Sequence, residues 1–248
     1  MAATEHGAAG LYAGALEKLG RRLVDGELVA GQVLRTEELE LQCDVSRTVI
    51  REAVRVLKSI GMVASRRRVG VVVAPRSRWN VYDPLIIRWR LDGGDRESQL
   101  RSLSELRSGV EPLAARLAAG KASPEQCGAL TGAVMDMAVH GRSGDLRAYL
   151  EADIRFHRTI LEASGNEMFA ALGDAVAEVL AGRTVHGLMP LNPNPAAIRL
   201  HADVAQAVQA ADPAAAHLAM SDIIVEAVEY MTEHAAQSLH SFGAVVHS

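Results

Sequence analysis

The stretch that most limits what this chain can fold into is 46–73. Ile50, Ala53, Val54 and Leu57 share one face of a helix running from Ser46 to Leu57, while Arg47, Thr48, Arg51 and Arg55 fall largely on the other. Gly61 stops that helix. Met62-Val63-Ala64 and Val71-Val72-Val73 then read as two strands around a basic tip, Ser65-Arg66-Arg67-Arg68-Val69-Gly70. Just upstream a shorter helix is expected over 36–43, with Thr36 as its N-cap, Leu39 facing inward and Asp44 in the tight turn that follows. Two short helices, a turn and a hairpin make a helix-turn-helix with a wing. The second helix opens on Ser46-Arg47-Thr48, which suits a major groove: arginine bonds a guanine edge bidentately, and Ser and Thr serve base or phosphate. Its first backbone amides favour phosphate. A basic hairpin beside such a helix is placed for phosphates or the minor groove. One such arginine alone would read as a solvated surface charge. Six arginines on one helix and its wing do not.

Charge is distributed to match. Residues 1–78 carry 13 Lys+Arg against 9 Asp+Glu, whereas 79–248 carry 13 against 21. The overall net charge of −4 therefore hides a basic segment joined to an acidic body. Leu11, Leu16, Leu19, Leu23 and Val24 predict a first amphipathic helix over 10–25, broken by Asp25-Gly26-Glu27 and Ala30-Gly31. Only Cys43 and Cys127 occur, with no CxxC pair, which argues against a zinc finger or a disulfide framework and fits a reducing cytoplasm. Met1 to Gly10 lack the basic start and apolar run of a signal peptide, and no apolar stretch reaches spanning length. The expectation is a cytoplasmic protein with no membrane partner.

Beyond 76 the chain reads as a linker with a short helix over 77–94, its aromatics Trp79, Tyr82 and Trp89 packing between domains, and then as an all-helical body over 95–240. Six helices are expected there, over roughly 96–119, 124–140, 144–163, 166–187, 196–210 and 213–238. Breakers separate them: Gly120, Gly141 to Gly144, Gly165, the Pro190/Pro193/Pro195 segment, and Asp212-Pro213. Ser123-Pro124-Glu125-Gln126 has the form of an N-cap with proline at the first helical position. There is no phosphate loop, no Gly-x-Ser-x-Gly elbow and no His-Glu-x-x-His. The fold class is mainly α: a winged helix-turn-helix over 1–76 plus a helical bundle.

The run Val45-Ser46-Arg47-Thr48-Val49-Ile50-Arg51-Glu52-Ala53, with Gly61-Met62-Val63 and Val69-Gly70 after it, resembles the signature of the GntR family of bacterial regulators. The resemblance implies operator contacts from Arg35, Arg47, Thr48 and Arg51, beside those expected of Ser46 and of Arg66, Arg67, Arg68 and Gly70 in the wing. Two positions depart from the family: Asp44 stands where glycine is frequent, and Arg68-Val69-Gly70 replaces a Gly-x-Gly tip. The body resembles the FCD effector domain of the FadR-type branch, through Glu105-Leu106-Arg107 with Glu111-Pro112, Asp153-Ile154-Arg155-Phe156-His157, Ser164-Gly165-Asn166, His201, and Ala207 to Asp212. Trp79-Asn80 to Trp89 resembles members that answer to sugar acids such as gluconate or galactonate.

Asp153 and His157 stand one helical turn apart, so they share a face, and His201 from another helix can complete three ligands for a divalent ion such as zinc or nickel. The family pattern implies a fourth ligand, a histidine 22 residues after His201, where this chain has Ile223; Asp222 and His217 fall off that face. Three readings stand: metal with water or effector oxygens in the vacant position, a metal-free pocket in which Asp153, His157 and His201 bond the effector, or an ordinary Asp–His pair with a satisfied buried histidine. Arg107 is the expected clamp for an effector carboxylate, against a plain salt bridge to Glu111. Arg107, Asp153, His157, Asn166 and His201 form the expected effector site. Together these features describe an effector-controlled regulator, most simply a repressor, that binds double-stranded operator DNA as a homodimer and responds to a small carboxylate, with a sugar acid as first choice. Two other classes compete: a metal-dependent enzyme built on Asp153, His157 and His201, and an architectural DNA-binding protein with no effector.

Overall fold

A computed structural model describes residues 2–190 and 194–245, and the side chains among them from Gly10 to Glu233. Pro193, one of the expected breakers, lies outside the described residues. The chain divides into two compact units, Met1–Gln99 and Leu100–Ser248.

The first unit runs α1 (Ala2–Val24), β1 (Val33–Leu34), α2 (Thr36–Cys43), α3 (Arg47–Ser59), β2 (Val63–Arg66), β3 (Gly70–Val73), one 3-10 turn (Arg76–Arg78) and α4 (Pro84–Asp92). The strands form an antiparallel sheet in the order β1-β3-β2, with Val63 opposite Val73 and Arg66 opposite Gly70. β1 is only two residues long, pairing Val33 with Val72. No alternation can be read from so short a strand, and the sequence gives no sign of it. Arg35, not Thr36, stands at the N-cap of α2, and neither Arg35 nor Ser46 places its side chain in a capping hydrogen bond. Ile50, Ala53 and Leu57 of α3 are buried with Leu19, Leu23, Met62 and Val73. Three turns of helix at i, i+3, i+7 spacing thus seal the unit from below, and the other face is left to solvent.

The stretch expected as a linker belongs to this core. Trp79, Ile86 and Trp89 are buried in the same cluster as Leu19 and Met62. Trp79 donates its indole N–H to the Ala74 carbonyl at 3.1 Å, and Trp89 donates to Glu17 at 2.7 Å. Gly20 has no side chain because Trp89 occupies the space: a Cβ there would lie 2.5 Å from the indole ring. α4 starts cleanly, with Asp83 accepting from the Leu85 amide and Pro84 at the first helical position.

The second unit is all helical: α5 (Arg96–Ala118), α6 (Pro124–Ser143), α7 (Leu146–Ala163), α8 (Glu167–Ala170), α9 (Gly173–Val185), α10 (Pro195–Gln209) and α11 (Pro213–Val245). Of the prolines that read as breakers, Pro195 and Pro213 serve as first helical residues. Ser123 and Gln126 close a full capping box on α6, Asn194 caps α10, and Asp212 accepts from the Ala214 and Ala215 amides at the start of α11. The single helix expected over 166–187 is two, because a tight i to i+3 bond from the Leu172 amide to Phe169 interrupts it. α7 buries a broad stripe that includes Tyr149, Ala152, Phe156, Ile160 and Leu161, and in the middle of it sit Asp153 and His157. Among the described residues, no helix is long and apolar enough to cross a membrane.

Candidate functional site

The first candidate surface is the outer face of α3 with the hairpin. Arg47, Thr48 and Arg51 are exposed along it, as are Ser46 before it and Arg66, Arg67, Arg68 and Gly70 in the wing. The ion pairs there are loose. Arg35 reaches Glu38 at 3.6 Å, Arg47 reaches Glu37 at 3.5 Å and Arg55 reaches Glu52 at 3.5 Å, all between exposed side chains. Such pairs contribute at most about 1 kcal/mol and give way to a phosphate easily. Both positions where the sequence departs from glycine take left-handed backbone. Asp44 has φ 54° as the C-cap of α2, and Arg68 has φ 63° at the wing tip. The turn geometry that glycine ordinarily supplies is therefore kept. Aspartate tolerates that region well, whereas arginine is strained there by about 1 kcal/mol.

The second is a cavity in the helical unit, enclosing about 40 Å³ and lined by residues that include Arg107, Tyr149, Asp153, His157, Arg183, His201, Ile223 and Glu226. Four of the five expected effector residues line it. Asn166 does not: its side chain accepts from the Met168 amide and caps α8. Ile223, at the position expected of a fourth ligand, faces the cavity and is buried, which supports the register of the other three. Two of the groups that matter were not foreseen from the sequence as part of the site, Glu111 as a partner of His157 and Arg183. Nothing local signals either one, since each is brought in by packing from another helix.

Asp153, His157 and His201 offer ligand atoms within 4.8 Å of one another. Asp153 Oδ1 lies 3.3 Å from His157 Nε2 and 3.3 Å from His201 Nε2. The outer partners of both imidazoles are set. His201 Nδ1 is 2.7 Å from the Ala197 carbonyl one turn back, which requires the proton on Nδ1. Its Nε2 is then a bare lone pair directed at a carboxylate. Both Asp153 Oδ1 and His201 Nε2 are buried without a hydrogen-bond partner of proper geometry. Two facing acceptors need a cation between them, either a proton or a metal ion, so the donor set fits a divalent ion. His157 Nδ1 lies 2.5 Å from Glu111 Oε2, yet it too lacks a partner by direction. We take that approach as a charge contact rather than a hydrogen bond. It holds a carboxylate behind the ring, in the place where carboxylate–histidine–metal arrangements put one.

Behind Glu111 stands Arg107, whose Nε is 2.5 Å from Oε1 and whose Nη2 is 3.3 Å from Oε2, with both side chains almost wholly buried. Electrostatics ties the row together. Burial pushes the Glu111 carboxyl up, but Arg107 and His157 outweigh it and hold its pKa at about 2. Burial likewise raises Asp153 and is overcome by the two histidines, which leave it well below the usual carboxylate range. Burial lowers His157, and Glu111 with Asp153 more than reverses this. The Tyr149 phenol is pushed up, first by burial and then by Asp153 and Glu226. Arg107, expected as a free clamp, is thus engaged with Glu111 while also lining the cavity.

Comparison with known proteins adds the following. The family model described as bacterial regulatory proteins, gntR family, matches residues 11–73, and the FCD domain model matches 102–226. The galactonate operon transcriptional repressor of Escherichia coli (strain K12) is 33% identical over 162 residues, covering 65% of this chain and 70% of that protein. The probable D-xylose utilization operon transcriptional repressor of Paenarthrobacter nicotinovorans is 28% identical over 203 residues, covering 80% of this chain and 79% of that one. Among solved structures, E. coli McbR/YncC superposes with a TM-score of 0.53 at 18% identity, covering 90% of this chain and 98% of that one, a likeness of fold. The enzyme reading finds no support among these relatives, which are transcription regulators.

Proposed function

Because this chain belongs to the GntR family of bacterial regulators and carries an FCD domain, we propose that it is a repressor which a small carboxylate releases from its operator. A homodimer in the cytoplasm reads a palindromic site through Arg47, Thr48 and Arg51 on α3. Arg35, Ser46 and the wing arginines Arg66, Arg67 and Arg68 hold phosphates or the minor groove, with Gly70 letting the hairpin close. The observation that carries the effector half of this reading is the buried cavity, where acceptor atoms of Asp153 and His201 face each other without a partner. Asp153, His157 and His201 would hold a divalent ion, zinc or nickel, whose positive charge would draw a carboxylate or hydroxyl oxygen into the site. The position opposite, occupied by Ile223, is left to solvent or effector. Glu111 and Arg107 fix His157 from behind.

The effector shifts operator affinity only by binding two states of the protein unequally, so its effect on DNA and the operator's effect on it are equal. The resemblance of one third of positions to a galactonate operon repressor makes galactonate the first compound to try. At about 40 Å³ the cavity has room for roughly three water-sized groups as it stands. A six-carbon acid needs side chains such as Met189, which lines it, to move.

The test is operator binding by fluorescence anisotropy, with and without zinc, against galactonate, gluconate, xylonate and lactate. Relief of binding by at least one acid is expected, and relief by none overturns the effector reading. Calorimetric titration of zinc into wild type and Ile223→His tests the ligand set separately. The added imidazole is expected to tighten binding, and no gain would mean that Asp153, His157 and His201 do not converge on an ion.

A further inference from the structure

We infer that Arg183 on α9, and not Arg107, receives the effector's carboxylate. This rests on the effector reading above and names the residue that reads the anion. Two guanidinium groups line the cavity. The fork of Arg107 is occupied, because both its Nε and its Nη2 lie on Glu111. An anion gripped by those same two nitrogens of Arg107 would have to displace Glu111 and draw the guanidinium's charge away from a carboxylate buried 2.5 Å from His157 Nδ1. Removing one member of a buried pair costs several kcal/mol, roughly what a ligand of this size can return.

Arg183 is in the opposite state. It lines the same cavity, its Nε is sealed from solvent without a hydrogen-bond partner, and among the described residues it makes no ion pair. Asp153 and Glu226 act on it only from a distance. Burial and the nearby Arg107 both work against its charge and pull it below its ordinary range. An incoming carboxylate offsets both effects with its opposite charge and breaks no ion pair among the described residues, and the planar fork matches its two oxygens. The ligand class follows: an acid whose carboxylate sits on Arg183 while a hydroxyl or carbonyl oxygen is free to meet the Asp153, His157 and His201 group. Hydroxy-carboxylates have that pattern. Simple fatty acids lack the second oxygen.

The experiment compares acids with their neutral amides on the full-length, zinc-loaded protein, using galactonate with galactonamide and lactate with lactamide, by calorimetry. Wild type is expected to prefer the acid. Arg183→Gln is expected to lose about 30-fold or more in affinity for the acid while holding the amide as before, so the preference collapses. Arg183→Lys keeps the charge but not the fork, and should fall in between; it also serves if the glutamine variant does not fold. An acid preference that survives at wild-type strength in both Arg183 variants, or that collapses in Arg107→Gln alone, overturns the assignment while leaving the effector reading intact. If wild type binds neither acid, the effector reading falls and the assignment falls with it.

Discussion

The outer face of α3 and the cavity between the helices of the second unit both depend on charged side chains, but they use them in opposite ways. On α3 the arginines stand in water, and the acidic neighbours of Arg47 and Arg55 are loose, at 3.5 Å. Each can be removed without stranding another. In the second unit Arg107, Glu111, His157, Asp153 and His201 form a buried row in which each member lies against the charge of the next. A surface for DNA can be assembled from independent contacts, whereas a buried charge row must be assembled whole.

The comparison is broken most easily at Glu111. Glu111→Gln keeps the volume and removes the charge shared by Arg107 and His157, so the helical unit should lose about 3–5 kcal/mol in urea unfolding. A loss under about 1 kcal/mol would mean the row is not mutually dependent. Next, a double-mutant cycle on Arg107→Ala and Glu111→Ala should give a coupling of about 2–3 kcal/mol in stability. The same cycle on Arg47→Ala and Arg67→Ala, read out as operator affinity, should be additive within about 0.5 kcal/mol, and strong coupling there would erase the contrast.

A smaller change sharpens it from the other side. Arg51→Ala should weaken specific operator binding by about 1–3 kcal/mol while moving unfolding by no more than about 0.5 kcal/mol. An unchanged affinity would remove α3 as the recognition helix. Smallest of all, Arg68→Gly relieves the left-handed strain at the wing tip but loosens the unfolded chain, for a net gain of about 0.5 kcal/mol in stability. The same variant should flatten the salt dependence of DNA binding by about one phosphate contact. A loss of stability would show that the φ of 63° is comfortable for arginine.

The same contrast explains what the sequence discloses. The α3 face is legible because Ile50, Ala53, Leu57 and the arginines alternate within a single helix, so that local periodicity carries the whole message. The hairpin is legible for the same reason. Asp153 and His157 are likewise one turn apart. Arg183 and Glu111 are different. Arg183 reaches the cavity from α9 and Glu111 reaches His157 from α5, and no spacing in the chain records that α5, α7 and α9 meet there. Asn166 misled in the other direction, because a residue in a recognisable motif serves a helix cap instead of the cavity. The segment 77–94 misled through its polar start, although the two tryptophans in it are anchors of the first core.

That last feature bears on how proteins of this kind can be recombined. The two family models leave 74–101 assigned to neither. Yet Trp89 lies against the backbone of Gly20, and Trp79 and Ile86 share its cluster. A graft that joined this reader to a foreign effector body at residue 76 would leave a tryptophan-sized hole over α1 and expose Leu19 and Met62. A junction placed after Gly94 carries α4 along and transfers the reader with its core closed. The exchangeable module is therefore longer than the stretch that touches DNA, and a shuffled partner inherits α4 as part of the reader it borrows.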